Sequence, residues 1–343
     1  MKISIPIISL LFTLLIIYSC KKEEPEPKPD YTIDDVFVEA AQNQNLRCLV
    51  VFKNDHIAKE KYFIGDSLTT HDVRSVTKSV MATLVGIAID KGYISNEDIT
   101  IGNYLQPYYS SIDSIKASIT IRDLLTMSSG ISGNELLDIS AYLNWFNAPN
   151  QIVYTLTRPM ESEPGESFAY NPGTAHLVSA ILTQATEMTT KQFAKQYLFQ
   201  PLAIEDHYWP TDKQGITDGT AGLNLTPYDM LKIGRLYLNR GIYNDTQVVS
   251  ENWVNKTSSF KISTEGIEPF GPAYGYLWWI GDINSHDYFF ANGYGGQFIV
   301  VVPDINLIIV ATNNWSGIST TTANQQWYST LNMIINKIIP LYT

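Results

Sequence analysis

Apolar residues fill the chain from Val80 to Ile89 at every position except Thr83 and Gly86. A run that long and continuous predicts a helix buried on all sides, not a surface helix with one apolar stripe. Lys91-Gly92, a basic last turn followed by a glycine stop, marks its end. Ahead of it, Cys48–Phe52 and Ile57–Ile64 with Asn54-Asp55 between them predict a β-hairpin. From about Ser95 to Gly271 short helical stretches alternate with loops, and Ala175–Thr186 and Pro227–Leu238 carry the helical period. Strand patterns then return: aromatic-rich Tyr274–Ile280, Tyr288–Ala291, and Phe298–Val302 joined to Leu307–Thr312 across Pro303-Asp304-Ile305-Asn306. Thr322–Ile339, with Trp327, Leu331, Ile334, Ile335 and Ile338, predicts a closing amphipathic helix. Strands from both ends around a helical middle predict an α+β fold. One antiparallel sheet is built from the two chain ends and flanked by helices, with a helical insertion at about residues 95–270. The Val80–Ile89 helix would lie at the seam between sheet and insertion, where clefts form.

The first thirty residues follow a different logic. Lys2, the apolar stretch Ile3–Ile17 and then Tyr18-Ser19-Cys20 resemble a bacterial lipoprotein signal, with cleavage before Cys20 and lipid on its thiol. Residues 21–32 begin as Lys21-Lys22-Glu23-Glu24-Pro25-Glu26-Pro27-Lys28-Pro29-Asp30, charged and Pro-rich, the composition of a disordered tether. Residues 33–343 remain as one domain, held at a bacterial cell envelope on its periplasmic or outer face if Cys20 is lipidated. The membrane would then be a partner through that lipid alone. Cys48 is the other cysteine, expected as a buried strand thiol. A net charge of −11 argues against nucleic acid as a partner and favours a neutral or cationic small molecule.

The candidate chemistry opens the buried helix. Ser75 and Lys78 in Ser75-Val76-Thr77-Lys78 lie one turn apart on one helix face. A serine there sees unpaired backbone N–H groups and the helix dipole, and a lysine half buried behind it can lose its proton at moderate pH. That is the Ser-x-x-Lys arrangement of acyl-transfer enzymes that use lysine where others use histidine. Ser258-Ser259-Phe260-Lys261 repeats the spacing, but Gly266, Pro269 and Gly271 follow it, so it reads as a solvated loop.

Four further segments, in order along the chain, resemble one family. Ile121-Arg122-Asp123-Leu124-Leu125-Thr126-Met127-Ser128-Ser129-Gly130 is similar to the IRxLLTMxSG segment of the serine β-lactamase-like hydrolases. That family comprises class C β-lactamases, penicillin-binding DD-peptidases, and esterase and 6-aminohexanoate-dimer hydrolase relatives. Pro164-Gly165-Glu166-Ser167-Phe168-Ala169-Tyr170-Asn171 is similar to its PGxxFxY approach to a catalytic tyrosine. Gly275-Tyr276-Leu277-Trp278-Trp279 and Ala291-Asn292-Gly293-Tyr294-Gly295-Gly296-Gln297 are similar to its C-terminal strand region. The resemblance implies Ser75 as nucleophile, with Lys78 accepting its proton or holding an ionised Tyr170 that does. It implies Tyr170 as proton donor to the leaving group, and the backbone N–H groups of Ser75 and Tyr294 as the oxyanion hole. Asn171, Asn292, Gly293 and Gly295 are expected to meet substrate. Two departures stand out. Tyr170 is followed by Asn171-Pro172 where the family has Tyr-x-Asn, and Ala291-Asn292-Gly293 lacks the cation and hydroxyl of the usual Lys/His-Thr/Ser-Gly. Both point toward the esterase and aminohexanoate-oligomer branch and away from carboxylate-bearing penicillins.

The resemblance therefore implies a serine hydrolase of small esters or amides. A weak β-lactamase or DD-peptidase, or a non-catalytic envelope lipoprotein, are the competing readings. No cofactor is implied: there is no Rossmann or P-loop glycine pattern and no G-x-S-x-G elbow. His56, His71, His176, His207 and His286 show no metal-ligand spacing. His176 reads as a hydrogen-bonded core residue near the site, and Trp145 and Trp209 as aromatics beside the cleft.

Overall fold

The computed structural model describes residues 29–205, 208–264 and 271–343. The lipoprotein signal, Cys20 and most of the tether lie outside the described residues, as do His207, Gly266 and Pro269. The first described helix begins at Ile33. Thr32 caps the helix Ile33–Ala40 with a reciprocal Thr32–Asp35 capping box.

The predicted hairpin is formed by Leu46–Lys53 and His56–Tyr62. Asn54 and Asp55 both take positive φ, 48° and 63°, as a two-residue turn matching the strand twist requires. The Leu46–Lys53 strand pairs on its other side with Leu307–Asn313, antiparallel, Val50 against Val310. Gln297–Val302, His286–Gly293, Trp279–Ile283, Ala273–Tyr274 and Ile262–Ser263 complete an eight-stranded sheet, in that order outward. Its strands pair antiparallel throughout the described residues. The α+β architecture expected from both chain ends is the observed one. Tyr274–Ile280, expected as one strand, is two: a tight turn intervenes, with Gly275 N–H bonded to Trp278 O and Leu277 at φ 58°. A β-carbon at Gly275 would lie 2.1 Å from Thr257 O, so the turn is pressed against the helix Glu251–Thr257.

Each face of the sheet has its own cover. Phe298 meets Trp327 of the C-terminal helix Thr320–Met333 on one face. Ile299, the next residue and so on the opposite face, lies against Gly234 of the Pro227–Leu238 helix. The Val76–Asp90 helix is buried from Val76 to Ala88, as its unbroken apolar run predicts. It is capped at Lys91, and Gly92 at φ 76° turns the chain away. Gly86 makes room for the Trp253 ring, whose Nε1 donates to Ala82 O at 2.9 Å.

Candidate active site

Ser75 sits at the start of its helix behind a strained residue. Arg74 has φ 52°, a conformation that costs about 1–2 kcal/mol, and local bonds hold it there. Its N–H donates to Asp72 Oδ1 at 2.8 Å, and its guanidinium lies 4.5 Å over the Trp315 ring. Ser75 is half-buried and within reach of a ligand.

Lys78, 2% exposed, stands with Nζ 2.8 Å from Ser75 Oγ and 3.1 Å from the Thr220 carbonyl oxygen. Burial pushes its pKa below the ordinary lysine value; Glu135 and Asp218 pull it back up, and Arg74 adds to the lowering. With one N–H given to Thr220 O, the neutral amine can aim its lone pair at the serine proton. Tyr170, 5% exposed, presents its ring 4.9 Å from Lys78 Nζ. Burial raises its pKa far above the usual phenol range, Glu135 adds to this, and the Ser75 hydroxyl works the other way. Burial thus disfavours the Tyr170 phenolate, and Lys78 Nζ lies within hydrogen-bond distance of Ser75 Oγ.

The IRDLLTMSSG segment holds the chain that delivers Tyr170. Thr120 caps its helix Ile121–Leu125, Ala169 N–H bonds Met127 O at 2.8 Å and Gly165 N–H bonds Ser128 O at 2.7 Å. Gly130 at φ 75° lets Ser162 O approach where any β-carbon would collide.

The strand His286–Gly293 ends beside the backbone that leads into Ser75. A β-carbon on Gly293 would lie 2.4 Å from Val73 O, so glycine allows the strand end to meet the backbone leading into Ser75. Tyr294, Gly295 and Gly296 then turn the chain back. Among the described residues, neither the Ser75 nor the Tyr294 backbone N–H has a hydrogen-bond partner. Two such donors are what an oxyanion hole needs.

Three expected substrate contacts are spent inside the protein. Asn171 donates through Nδ2 to Ile131 O and Ser132 O and accepts through Oδ1 from Gly173 and Thr174 N–H. It caps the helix Pro172–Thr186 and has no hydrogen-bonding position left for a ligand. Asn292 Oδ1 accepts from Trp327 Nε1 at 2.6 Å, so its side chain points to the sheet face away from the Ser75 helix. Gly295, at φ 74°, is packed on Trp315 and gives its carbonyl to Gln326. Trp209 is buried with its Nε1 on Asp218 O, and Trp145 packs its edge on His176. The second Ser-x-x-Lys makes no pair: Ser258 Oγ bonds Val254 O and Lys261 Nζ bonds Ser259 Oγ.

Sequence reasoning missed Arg74, Glu135 and Thr220. Glu135 is half-buried on a loop whose N–H at that residue bonds Tyr170 O at 2.9 Å. Burial raises its pKa, and Lys78 and Arg74 oppose the rise. Thr220 acts through a carbonyl, which no side-chain motif reveals.

A beta-lactamase family profile matches residues 49–327. The chain belongs to the beta-lactamase family. It is a hydrolase by that membership. A 6-aminohexanoate-dimer hydrolase of Paenarthrobacter ureafaciens is 23% identical over 290 residues, covering 78% of this chain and 72% of the relative. An uncharacterized protein of Alkalihalophilus pseudofirmus is 26% identical over 310 residues, covering 78% and 83%. A Bacillus anthracis structure, provisionally named a 6-aminohexanoate-dimer hydrolase, has a TM-score of 0.72 at 22% identity, covering 87% of this chain and 80% of its own. That structure shares the sheet-and-helix fold of this beta-lactamase-family chain. Among the described residues no three His, Cys, Asp or Glu side chains converge to hold a metal ion.

Proposed function

We propose that this chain is a serine hydrolase that cleaves small esters or amides through an acyl-Ser75 intermediate. The observation that carries the proposal is the buried Lys78 amine 2.8 Å from Ser75 Oγ, with its pKa lowered by that burial. Lys78 Nζ takes the Ser75 proton as Oγ bonds the carbonyl carbon, and the Ser75 and Tyr294 N–H groups receive the oxyanion. Tyr170 then passes a proton to the leaving alcohol or amine as its bond to carbon breaks, and is reprotonated from Lys78. Water attacks the acyl-enzyme by the reverse sequence and frees the acid.

The net charge of −11 and the proximity of Glu135 and Asp218 to Lys78 support neutral or amine-bearing substrates. Short 6-aminohexanoate amides are therefore the first amides to test. The Ala291–Gly293 strand offers Ser75 no cation or hydroxyl, because Asn292 faces Trp327. Nitrocefin turnover is expected to be slow or undetectable. The domain without residues 1–30, exposed to a fluorophosphonate, should gain one adduct by intact mass, and Ser75→Ala should gain none. No adduct on the folded parent would replace this reading with a non-catalytic binding protein. We also propose that Cys20 carries a lipid tether; metabolic labelling with palmitate that survives Cys20→Ala would refute it.

A further inference from the structure

Behind Lys78 lies a buried hydrogen-bonded pair that the chemistry above does not use. His176 Nε2 is 3.0 Å from Asp212 Oδ2, with the two side chains 0% and 1% exposed. The second ring nitrogen, Nδ1, accepts the Gly219 N–H at 3.4 Å. These two bonds specify one state: imidazole protonated on Nε2 alone, opposite an ionised Asp212, whose pKa is pulled down by His176 and by backbone N–H groups against the effect of burial. Tyr108 is the other titratable group that feels the Asp212 charge, and the Trp145 edge closes the imidazole face.

Asp212 organises the loop that follows it. Its Oδ1 accepts from Gln214 and Ile216 N–H, at 2.8 and 2.9 Å, and its own N–H bonds Ile216 O. Gly219 then presses onto the Pro172–Thr186 helix, where a β-carbon would lie 2.6 Å from Ala175 O. Asp218 Oδ1 accepts from Thr220 N–H and Oγ1, fixing the peptide whose carbonyl meets Lys78. On the far side, Gly222 N–H bonds Asp72 Oδ1 and Val73 N–H bonds Leu223 O, tying the loop to the strand that enters Ser75. The Thr220 carbonyl is thus suspended between the His176 helix and the Ser75 approach.

We propose that the His176–Asp212 pair is a positioning unit for Lys78. It locks the 212–222 loop so that the Thr220 carbonyl holds Nζ in line with Ser75 Oγ. The inference rests on the acyl-serine reading, and it makes neither His176 nor Asp212 a group that touches substrate. Removing the Asp212 charge reverses the hydrogen-bond logic. An Asn at 212 can donate to Nε2, which places the imidazole proton on Nδ1, facing the Gly219 N–H, donor against donor. The loop must then shift, and a displacement of about 1 Å near a reacting atom can cost about a hundredfold in rate.

The test uses Asp212→Asn and His176→Gln, with an activated ester as substrate. Expected is a fall in kcat of about ten- to a hundredfold with KM within about threefold. The acid limb of the pH–rate profile should move to lower pH, because the carbonyl that favours the ammonium form of Lys78 has withdrawn. A folded variant with the parent's pH profile and kcat overturns the proposal. So does a variant that loses only thermal stability, and so does failure of both variants to fold, which would make the pair a folding element. The parent's own labelling by fluorophosphonate is measured alongside. If the parent is unreactive, the acyl-serine reading fails; if only the variants match the parent, this inference fails.

Discussion

At the scale of single residues, Lys78 combines a catalytic requirement with a stability cost. Its amine is useful because burial lowers its pKa, and the same burial disfavours the protonated form that the unfolded chain retains up to the ordinary value of 10.5. Between the lowered folded pKa and 10.5 the unfolded chain binds the extra proton, so stability rises with pH across that window and is lowest below it. Lys78→Met removes the titration. The parent should therefore gain stability relative to Lys78→Met as pH rises from the lowered folded value toward 10.5, by up to about 1.4 kcal/mol per pH unit. Urea melts of both proteins at several pH values check this, and parallel curves would place the Lys78 amine in solvent. The proximity of Ser75 and Lys78 was legible in the sequence because helical spacing sets it, and Tyr170 in its PGxxFxY frame does lie beside Lys78. Asn171 and Asn292 were misread for a physical reason: a motif gives a residue's address but not the direction of its side chain. Asn171 had the added pull of a Pro172 helix start, where an Asn cap is favoured.

Elements explain why glycine must stand at the end of the His286–Gly293 strand. Gly293 closes the His286–Gly293 strand where it meets Val73 O, and any β-carbon there would push 2.4 Å from that backbone oxygen and 2.9 Å from Gln297 Cβ. Neither is the far end of a flexible chain, so the strand end and the backbone leading into Ser75 must separate. Gly293→Ala should cost about 1–3 kcal/mol of stability. It should also lower kcat by about a hundred- to a thousandfold, the usual effect of one misplaced oxyanion donor. Thermal melts and single-turnover acylation separate the two effects; a variant that acylates at the parent rate would remove Tyr294 N–H from the site. The same scale shows which elements a sequence announces. Val/Ile-rich strands and the all-apolar helix were legible because their burial is written in composition. The break between Tyr274 and Trp279 was not, because the positive φ falls on Leu277, a residue that carries no turn signal.

For the whole molecule, the decisive pairing is between the two ends of the chain. Leu46–Lys53 is sandwiched between His56–Tyr62 and Leu307–Asn313, so the eight-stranded sheet cannot be completed until residues near 50 and 310 meet. The α+β arrangement was legible because both ends carried strand patterns, whereas the loop fixing Thr220 was not, since its order comes from His176 and Asp72 on distant elements. Closing so large a loop before any reward makes folding slow and leaves early intermediates with a bare sheet edge. The Val76–Asp90 helix depends on that sheet, since its buried faces pack partly on the His286–Gly293 strand. Residues 29–306 alone lack the Leu307–Asn313 strand and the Trp327 cover over Phe298. That fragment is expected to aggregate or remain unfolded, and without a closed core Lys78 would regain water and its ordinary pKa. Circular dichroism and fluorophosphonate labelling should both fail on it, and coexpression with residues 307–343 should restore both. A soluble fragment that still labels Ser75 would show that the helical insertion builds the site without the closed sheet.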